Sequence, residues 1–182
     1  MSRIAPVSAK SDVPAEHHAL VDKVLKVFGG IRGPFSMMLH SPKMAGPVFD
    51  LGDYFRDDSI VEPRLRSVGI LIAARERQGA YVWGAQVNAA RRNGVPEEVL
   101  ELIRQRAAPA RYPAGDREVA AYTEQLMRTN RVEQSTFDAL KNGHSVQWLV
   151  ELTAVINYYG MLCGIVSAFE VPGQANADPL PK

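Results

Sequence analysis

The segment from Ser145 to Glu170 constrains the fold more than any other part of the chain. Its apolar residues recur at helical spacing yet cover most of the helix circumference: Val146, Leu149, Val150, Leu152, Val155, Ile156, Tyr159, Leu162, Ile165, Val166 and Phe169. A helix with one face in water carries its apolar residues as a stripe on the other face only. We therefore predict a long, buried C-terminal helix with the other elements packed around it.

Helical spacing also dominates the rest of the chain. It predicts helices over 17–28, after Ser41-Pro42, from Pro63, over 80–93, from Pro96, from Asp116 and over 133–142. No segment alternates for long enough to predict a β-strand. The sequence therefore predicts an all-α orthogonal or mixed bundle, with one helical domain over 15–172 between an N-terminal arm (1–14) and a flexible, proline-rich tail (173–182).

The bulk composition excludes several classes of protein. The 182 residues carry a net charge of +1, with 46% hydrophobic and 23% charged residues, so binding to nucleic acid or to a membrane is not indicated. The chain has neither a run of about 18 apolar residues nor the apolar core of a signal peptide, and we expect a cytoplasmic protein. The single cysteine, Cys163, cannot form an intrachain disulfide or a Cys-X-X-Cys pair. We predict no metal site and no cofactor.

Arginine is concentrated in the middle of the chain. Fifteen of the 21 basic residues are arginine, nine of them between Arg64 and Arg111, where only four acids occur. The planar guanidinium matches a carboxylate, so the excess suits a small anionic ligand or an interface rich in ion pairs. Exposed helix faces would have the same composition.

Three stretches resemble the carboxymuconolactone decarboxylase family, which includes the alkylhydroperoxidase D (AhpD) branch. They are PFSMMLHSPKMAGPVFDLGDYFR, RLRSVGILIAARERQGAYVWGAQVNAARRNGVPEEVLELIR and ELTAVINYYGMLCGIVSAFEVP, in order over 34–172. The resemblance implies an AhpD-like helical bundle that forms trimers or hexamers, with a cavity beside the helix of residues 80–93. One branch of the family decarboxylates a lactone from aromatic-acid breakdown, and the other reduces peroxides with a Cys-X-X-Cys pair helped by a histidine and a glutamate.

The groups of the peroxidase branch are missing from this chain. Alignment on Ala89-Ala90 and on Asn93-Gly94-Val95 puts the two cysteines of that branch at Gly79 and Val82 and its histidine at Gln86. These three positions share one helix face. Glycine and valine cannot form a thiolate and an amide cannot take a proton, so thiol peroxidase chemistry is excluded at this site. The glutamate of the branch would fall near Ser67.

The decarboxylase branch fits somewhat better. Its RxRSL segment resembles Arg64-Leu65-Arg66-Ser67-Val68, and its HLRAALRNGV segment resembles residues 86–95. The histidine of the second segment is again replaced by Gln86. If proton transfer requires that histidine, this chain is not a decarboxylase of the same kind.

Four residues are candidates for binding a substrate: Tyr81, Trp83, Gln86 and Tyr158. Tyr81 and Trp83 match a Tyr-x-Trp of many family members and could line a ligand cavity or belong to the core. The Gln86 amide could orient a carboxylate or carbonyl, or be satisfied by a neighbouring backbone group.

Three residues are candidates for catalysis: Glu151, His40 and His144. Glu151 lies on the most apolar helix, where burial would raise its pKa and suit a general base; the alternative is a structural ion pair. The two histidines each precede a predicted helix, which suits capping or surface roles as well as proton transfer. Cys163 is interpreted as a small apolar filler, with a peroxidase that uses it alone as the weakest alternative.

These observations leave two hypotheses about function. The first is an enzyme that acts on a small carboxylated compound of aromatic catabolism by cofactor-free, lyase-type proton transfer. The second is a non-catalytic binding or assembly protein on the same scaffold. In both cases we expect a small-molecule carboxylate ligand and a homo-oligomer.

Overall fold

A computed structural model describes residues 2–175 and 177–181, and within these ranges every regular element is a helix. The α-helices are α1 (His18–Phe28), α2 (Pro34–Met38), α3 (Pro42–Asp57), α4 (Pro63–Glu76), α5 (Ala80–Arg92), α6 (Glu97–Arg104), α7 (Asp116–Thr129), α8 (Gln134–Gly143) and α9 (Val146–Ala168). Short 3₁₀ turns occur at Lys10–Asp12, Ala15–His17 and Pro109–Arg111. The all-α prediction is confirmed.

Several helices begin where the sequence signals predict. Pro42 and Pro63 are the first residues of α3 and α4, and Pro34 has the same place in α2, a short helix that was not predicted. Proline suits this position because the first backbone N–H groups of a helix have no intrahelical partner. Helix α9 begins after Ser145, whose hydroxyl accepts a hydrogen bond from the backbone N–H of Trp148 at 3.1 Å.

The most enclosed helix is α4, which packs against α5, α7 and α9. Each of its ten residues from Arg66 to Arg75 is buried. Helix α9 is buried where it meets its neighbours, but Val146 and Val150 on its outer side are 69% and 61% exposed. Among the described residues α9 alone is long and apolar enough to cross a membrane, and half of its most apolar stretch is buried, as in the core helix of a soluble protein.

Both terminal segments are fastened to the bundle. Val7 is buried and its N–H donates to the carbonyl oxygen of Ser36 at 2.9 Å. The tail, predicted to be flexible, carries Asp178, whose carboxylate accepts hydrogen bonds from Arg91 at 2.8 Å and Arg104 at 2.7 Å. The composition of the tail gives no sign of these two contacts, because it does not show that arginines on α5 and α6 face the tail.

Candidate functional site

The described residues enclose a cavity of about 430 Å³ between α3, α4, α5, α9 and the segment that joins α1 to α2. Much of its wall is aromatic: Phe28, Phe35, Phe49, Phe55, Tyr81, Tyr158 and Tyr159. Neighbouring rings touch edge to face, as in the Phe55–Tyr158 pair, whose centroids are 5.5 Å apart. Pockets of several hundred cubic ångströms with mainly apolar walls are typical of sites for small molecules.

Helix α5 presents one face to the cavity. Val82, Gln86, Ala89 and Asn93 line it, and their spacing of four, three and four residues places them along one side of a helix. Val82 and Gln86 are two of the three positions that the peroxidase branch would fill with reactive groups. The wall on which the peroxidase chemistry would stand is therefore present and open, but it bears an isopropyl group and an amide.

The third of these positions, Gly79, points elsewhere. A β-carbon built on Gly79 would lie 2.3 Å from the Sγ atom of Cys163 and 3.0 Å from its Cβ. The thiol of α9 thus occupies the space that a side chain at position 79 would need. Cys163 is 1% exposed, and burial raises the pKa of its thiol to about 12, so it remains protonated.

Arg66 is the one buried charge on the cavity wall. It is 9% exposed, and its guanidinium donates to the backbone carbonyl oxygens of Val61 at 3.3 Å and Arg56 at 3.2 Å. No carboxylate of residues 2–175 or 177–181 lies within ion-pair distance of it, and burial lowers its pKa. A buried guanidinium without a carboxylate partner favours the binding of an anion.

The remaining charges on the cavity wall are mostly positive. Arg32, Arg56 and Arg92 line it with Arg66, and Asp53 is the one acid among the lining residues. Asp53 forms an ion pair with Arg56. Arg92 is exposed and has no ion-pair partner in the described part of the chain. The field in the cavity therefore favours a negatively charged guest.

Polar groups accompany Arg66 on the same wall. The Asn93 side-chain amide donates to the Ser67 hydroxyl at 2.9 Å, and this hydroxyl donates to the carbonyl oxygen of Pro63 at 2.7 Å. The side chain of Gln86 has no hydrogen-bond partner among the described residues. Its amide is thus available to a ligand in the cavity.

The structure brings three of the four predicted binding residues to the cavity. Tyr81, Gln86 and Tyr158 line it, whereas Trp83 is fully buried in the core. Trp83 leaves the cavity because it lies one position beyond Val82 on α5, on the side that faces Arg104, whose guanidinium stacks 5.4 Å from the indole centre. Of the two interpretations of Trp83, the core position is the one observed.

Glu151 lies outside the cavity, and its environment is the opposite of the expected one. Its carboxylate accepts hydrogen bonds from Tyr54 (2.7 Å), Ser59 (2.8 Å), the backbone N–H of Ile60 (2.9 Å) and Gln147 (2.8 Å). Burial alone would raise the pKa of Glu151, but these donors lower it to about 2. The predicted raised pKa is therefore wrong, and the geometry is that of a structural carboxylate that ties α3 and the loop between α3 and α4 to α9.

The two candidate histidines also lie away from the cavity. His40 is exposed, and its Nε2 lies 3.0 Å from the carbonyl oxygen of Ala5. His144 stacks on Trp148 with ring centres 3.7 Å apart. Neither side chain lines the cavity, so the structure does not bring them together with Gln86.

Sequence reasoning left the most informative site residues unselected. Arg66 enters the sequence analysis only through the RxRSL resemblance, Ser67 only through that resemblance and the place of the peroxidase glutamate, and Asp53 not as a site residue at all. The signal for Arg66 was its position inside the long apolar run of α4, where all ten residues from 66 to 75 are buried. A charged residue in such a run requires a partner, and the one acid at helical spacing, Glu62, instead accepts a hydrogen bond from Trp148 Nε1 at 2.7 Å.

The fold defines the class of protein. Residues 47–125 match the sequence model of the carboxymuconolactone decarboxylase family, a span that contains α4, α5 and the arginine-bearing wall of the cavity. Solved structures of AhpD-like proteins share the fold. No curated protein matches the chain in sequence.

Three solved structures show the likeness. The AhpD core of an uncharacterized peroxidase-related protein from Ralstonia eutropha JMP134 has a TM-score of 0.78 at 16% identity, covering 95% of this chain and 92% of that one. The debrominase Bmp8, solved as a cysteine-to-alanine variant with 2,3,4-tribromopyrrole, has a TM-score of 0.76 at 17% identity, covering 96% and 95%. An AhpD-related protein of unknown function from Agrobacterium tumefaciens has a TM-score of 0.69 at 18% identity, covering 80% and 100%.

Residues 47–125 are thus similar to the carboxymuconolactone decarboxylase family, and the fold of the chain is AhpD-like.

Proposed function

We propose that the cavity binds a small carboxylated compound, related to those of aromatic catabolism, whose carboxylate pairs with Arg66. The observation that carries this proposal is the buried Arg66 guanidinium, which lines the cavity and has no carboxylate partner in the described part of the chain. A bidentate contact with a ligand carboxylate would compensate the cost of burying this charge.

The shape and lining of the cavity support an aromatic or similarly flat ligand. Aromatic rings form much of the wall, and the volume of about 430 Å³ suits a molecule of modest size. The solved structure of Bmp8 contains a small aromatic halide, 2,3,4-tribromopyrrole, on the same fold.

If the protein turns over its ligand, we propose cofactor-free, lyase-type proton transfer. Asp53 is the only acid among the residues that line the cavity, so it replaces Glu151 as the group placed to hold a proton there. Arg66 would stabilise negative charge that develops on the ligand. Tyr81 and Gln86 would supply hydrogen bonds that fix its orientation.

A non-catalytic binding protein on the same scaffold is the second candidate. The positions of Glu151, His40 and His144 favour it, because all three predicted proton-transfer groups lie away from the cavity. The second candidate shares the ligand class of the first and differs from it only in turnover.

Calorimetric titration with benzoate tests the binding step. We expect saturable binding to the parent protein, at least tenfold weaker binding to Arg66→Gln, and intermediate binding to Arg66→Lys, which keeps the charge without the planar fork. Arg111→Gln, at an exposed arginine that does not line the cavity, is the matched control and should bind as the parent does. Equal affinity of the parent and Arg66→Gln would refute the proposal.

Turnover separates the two candidates. The purified protein is mixed with carboxymuconolactone and the ultraviolet absorbance of the lactone is followed. A loss of absorbance that disappears in Asp53→Asn supports the enzyme, whereas an unchanged spectrum removes the narrow decarboxylase version.

Any peroxide consumption should survive Cys163→Ala, because the thiol is protonated and does not line the cavity.

A further inference from the structure

The Tyr158 phenol stands directly over Gly52. A β-carbon built on Gly52 would lie 2.4 Å from the Tyr158 hydroxyl oxygen and 3.1 Å from its Cζ atom. Gly52 lies inside α3 at a φ angle open to any residue, where glycine costs about 0.5–1 kcal/mol relative to alanine. The backbone conformation does not require a glycine at position 52, but the Tyr158 hydroxyl leaves no room for a larger residue there.

The hydroxyl of Tyr158 forms no hydrogen bond within the described part of the protein. The side chain is 7% exposed and lines the cavity, and its hydroxyl has no hydrogen-bond partner among residues 2–175 and 177–181. Tyr122, which is equally buried outside the cavity, does have one, since its hydroxyl lies 2.7 Å from Thr153 Oγ1. The oxygen of this hydroxyl is not one of the fully buried polar atoms that lack a partner, so it is accessible from the cavity, where a ligand can bond to it directly.

The neighbouring groups fix what that partner can be. Rings of Phe55 and Tyr159 pack against Tyr158 at centroid distances of 5.5 and 5.4 Å and hold the phenol in place. Burial raises the pKa of Tyr158, so the hydroxyl keeps its proton and can donate it. Asp53, next to Gly52 on the same wall, is paired with Arg56, so this part of the wall offers no unpaired cation to a second carboxylate.

We propose that Tyr158, held in position by Gly52, forms a subsite for an uncharged acceptor oxygen of the ligand, such as a ketone, separate from the carboxylate that binds at Arg66. The inference rests on the proposed function, because it takes the Arg66 contact as the anchor of the ligand. It narrows the ligand class to carboxylates that carry a second, neutral oxygen.

Four probes test the subsite: benzoate and its 2-, 3- and 4-acetyl derivatives, titrated calorimetrically. We expect the parent to bind at least one acetylbenzoate roughly tenfold more tightly than benzoate, the effect of one good hydrogen bond. Tyr158→Phe should remove that preference, so that within this variant the acetylbenzoates and benzoate bind with similar affinity. Tyr122→Phe, with its hydroxyl outside the cavity, should keep the preference.

Gly52→Ala gives an independent readout. The added methyl group must displace the Tyr158 hydroxyl, so the preference should fall as in Tyr158→Phe. In the Tyr158→Phe background, Gly52→Ala should have little further effect because the nearest clashing atom is gone. Gly46→Ala on the same helix, whose β-carbon would meet only Leu20 at 3.9 Å, is the matched control and should keep the preference.

The outcomes distinguish this inference from the function on which it rests. If no probe binds, the proposed function and the subsite both fail. If the probes bind through Arg66 but the acetyl group gives no preference, or the preference survives Tyr158→Phe, the subsite is refuted and the proposed function stands. Thermal unfolding of each variant shows whether a loss of binding reflects a loss of fold.

Discussion

At the scale of single residues, the contact between Gly79 and Cys163 explains why position 79 has no side chain. Glycine-to-alanine changes in or near helices usually stabilise a protein when the backbone can accept them. At Gly79 the added β-carbon would lie 2.3 Å from the Cys163 Sγ atom, on a buried wall. Overpacking of this kind should cancel the gain and leave a net loss.

We predict that Gly79→Ala lowers the free energy of unfolding by about 1–3 kcal/mol, measured by urea denaturation. The double variant Gly79→Ala/Cys163→Ala should recover part of this loss because the sulfur is removed. Gly164→Ala on α9, where a β-carbon would meet nothing within 4 Å, is the control and should be neutral or stabilising. A Gly79→Ala protein as stable as the parent would contradict the tight contact.

Glu151 predicts a component of acid sensitivity. Its pKa in the folded protein is lowered to about 2 from an ordinary value near 4.5, so its ionised form stabilises the fold above that ordinary value. This contribution should be lost as the pH falls from about 4.5 toward 2. We predict that Glu151→Gln is less stable than the parent by about 2–3 kcal/mol at pH 7 and that its stability falls less steeply over this pH range.

The measurement is the free energy of unfolding at pH 7, 4 and 3. Glu98→Gln, at an exposed glutamate on α6, is the control and should leave both the stability and its pH dependence close to those of the parent. An unchanged stability of Glu151→Gln at pH 7 would show that the four hydrogen bonds contribute little.

At the same scale, the sequence indicated the positive charge around the cavity more clearly than it indicated which residues line the cavity. Tyr81 and Gln86 were identified from the resemblance to the family, and Tyr158 from its helical spacing relative to Glu151. Glu151 was misjudged because three of its four donors, Tyr54, Ser59 and Ile60, come from a region some ninety residues away; the fourth, Gln147, is one turn away on α9. A pKa depends on such long-range partners, and sequence spacing along one helix does not show them.

At the scale of elements, the starts of helices could be predicted from the sequence, whereas the tertiary contacts that hold the tail against the bundle could not. Proline and serine signals fixed the starts of α3, α4 and α9, because capping is a local interaction. The docking of the tail depends on Arg91 and Arg104 meeting Asp178, which no local pattern reveals.

We predict that Asp178→Ala releases the tail. The variant loses both ion pairs of a carboxylate that is only 16% exposed, and should be destabilised by about 1 kcal/mol. Hydrogen exchange and limited proteolysis over 172–181 should increase clearly. Asp22→Ala, which removes an ion pair of a 58% exposed carboxylate with Lys10, should leave the tail as protected as in the parent. Unchanged tail protection in Asp178→Ala would contradict the anchoring role.

At the scale of the whole molecule, the outer face of α9 predicts self-association. Val146, Val150 and Met161 leave 69%, 61% and 40% of their surface exposed on a helix whose other sides are in the core. Large apolar residues clustered in this way are typical of surfaces that meet another protein. We propose that a second copy of the chain covers this face, in keeping with the expected homo-oligomer.

Val150→Glu tests the assembly. An exposed substitution should change the stability of a single chain by less than about 0.5 kcal/mol, but a charge within an apolar interface should shift the sedimentation coefficient toward that of the monomer. Leu25→Glu, at a 38% exposed leucine on α1, is the control and should leave the assembly intact. A parent protein that sediments as a monomer would refute the proposed interface.

The architecture as a whole followed from the sequence because helical periodicity runs through almost the entire chain. What periodicity could not rank was burial. The apolar circumference of α9 predicted the most enclosed helix, yet α4 is the more completely buried one, with two arginines within its buried run. The arginines of α4 made its burial difficult to predict, because charged residues seldom lie in a core unless they have a partner there.

Because the sulfur atom of Cys163 lies beneath Gly79, the effect of a mutation at position 79 depends on the residue at position 163. Reinstating the peroxidase groups by Gly79→Cys, Val82→Cys and Gln86→His would force the new side chain at 79 into a volume that Cys163 already fills. Residue 163 would first have to shrink. A dithiol at positions 79 and 82 would therefore depend on residue 163, which belongs to neither the dithiol nor its histidine. The order of the mutations would determine the stability of each intermediate.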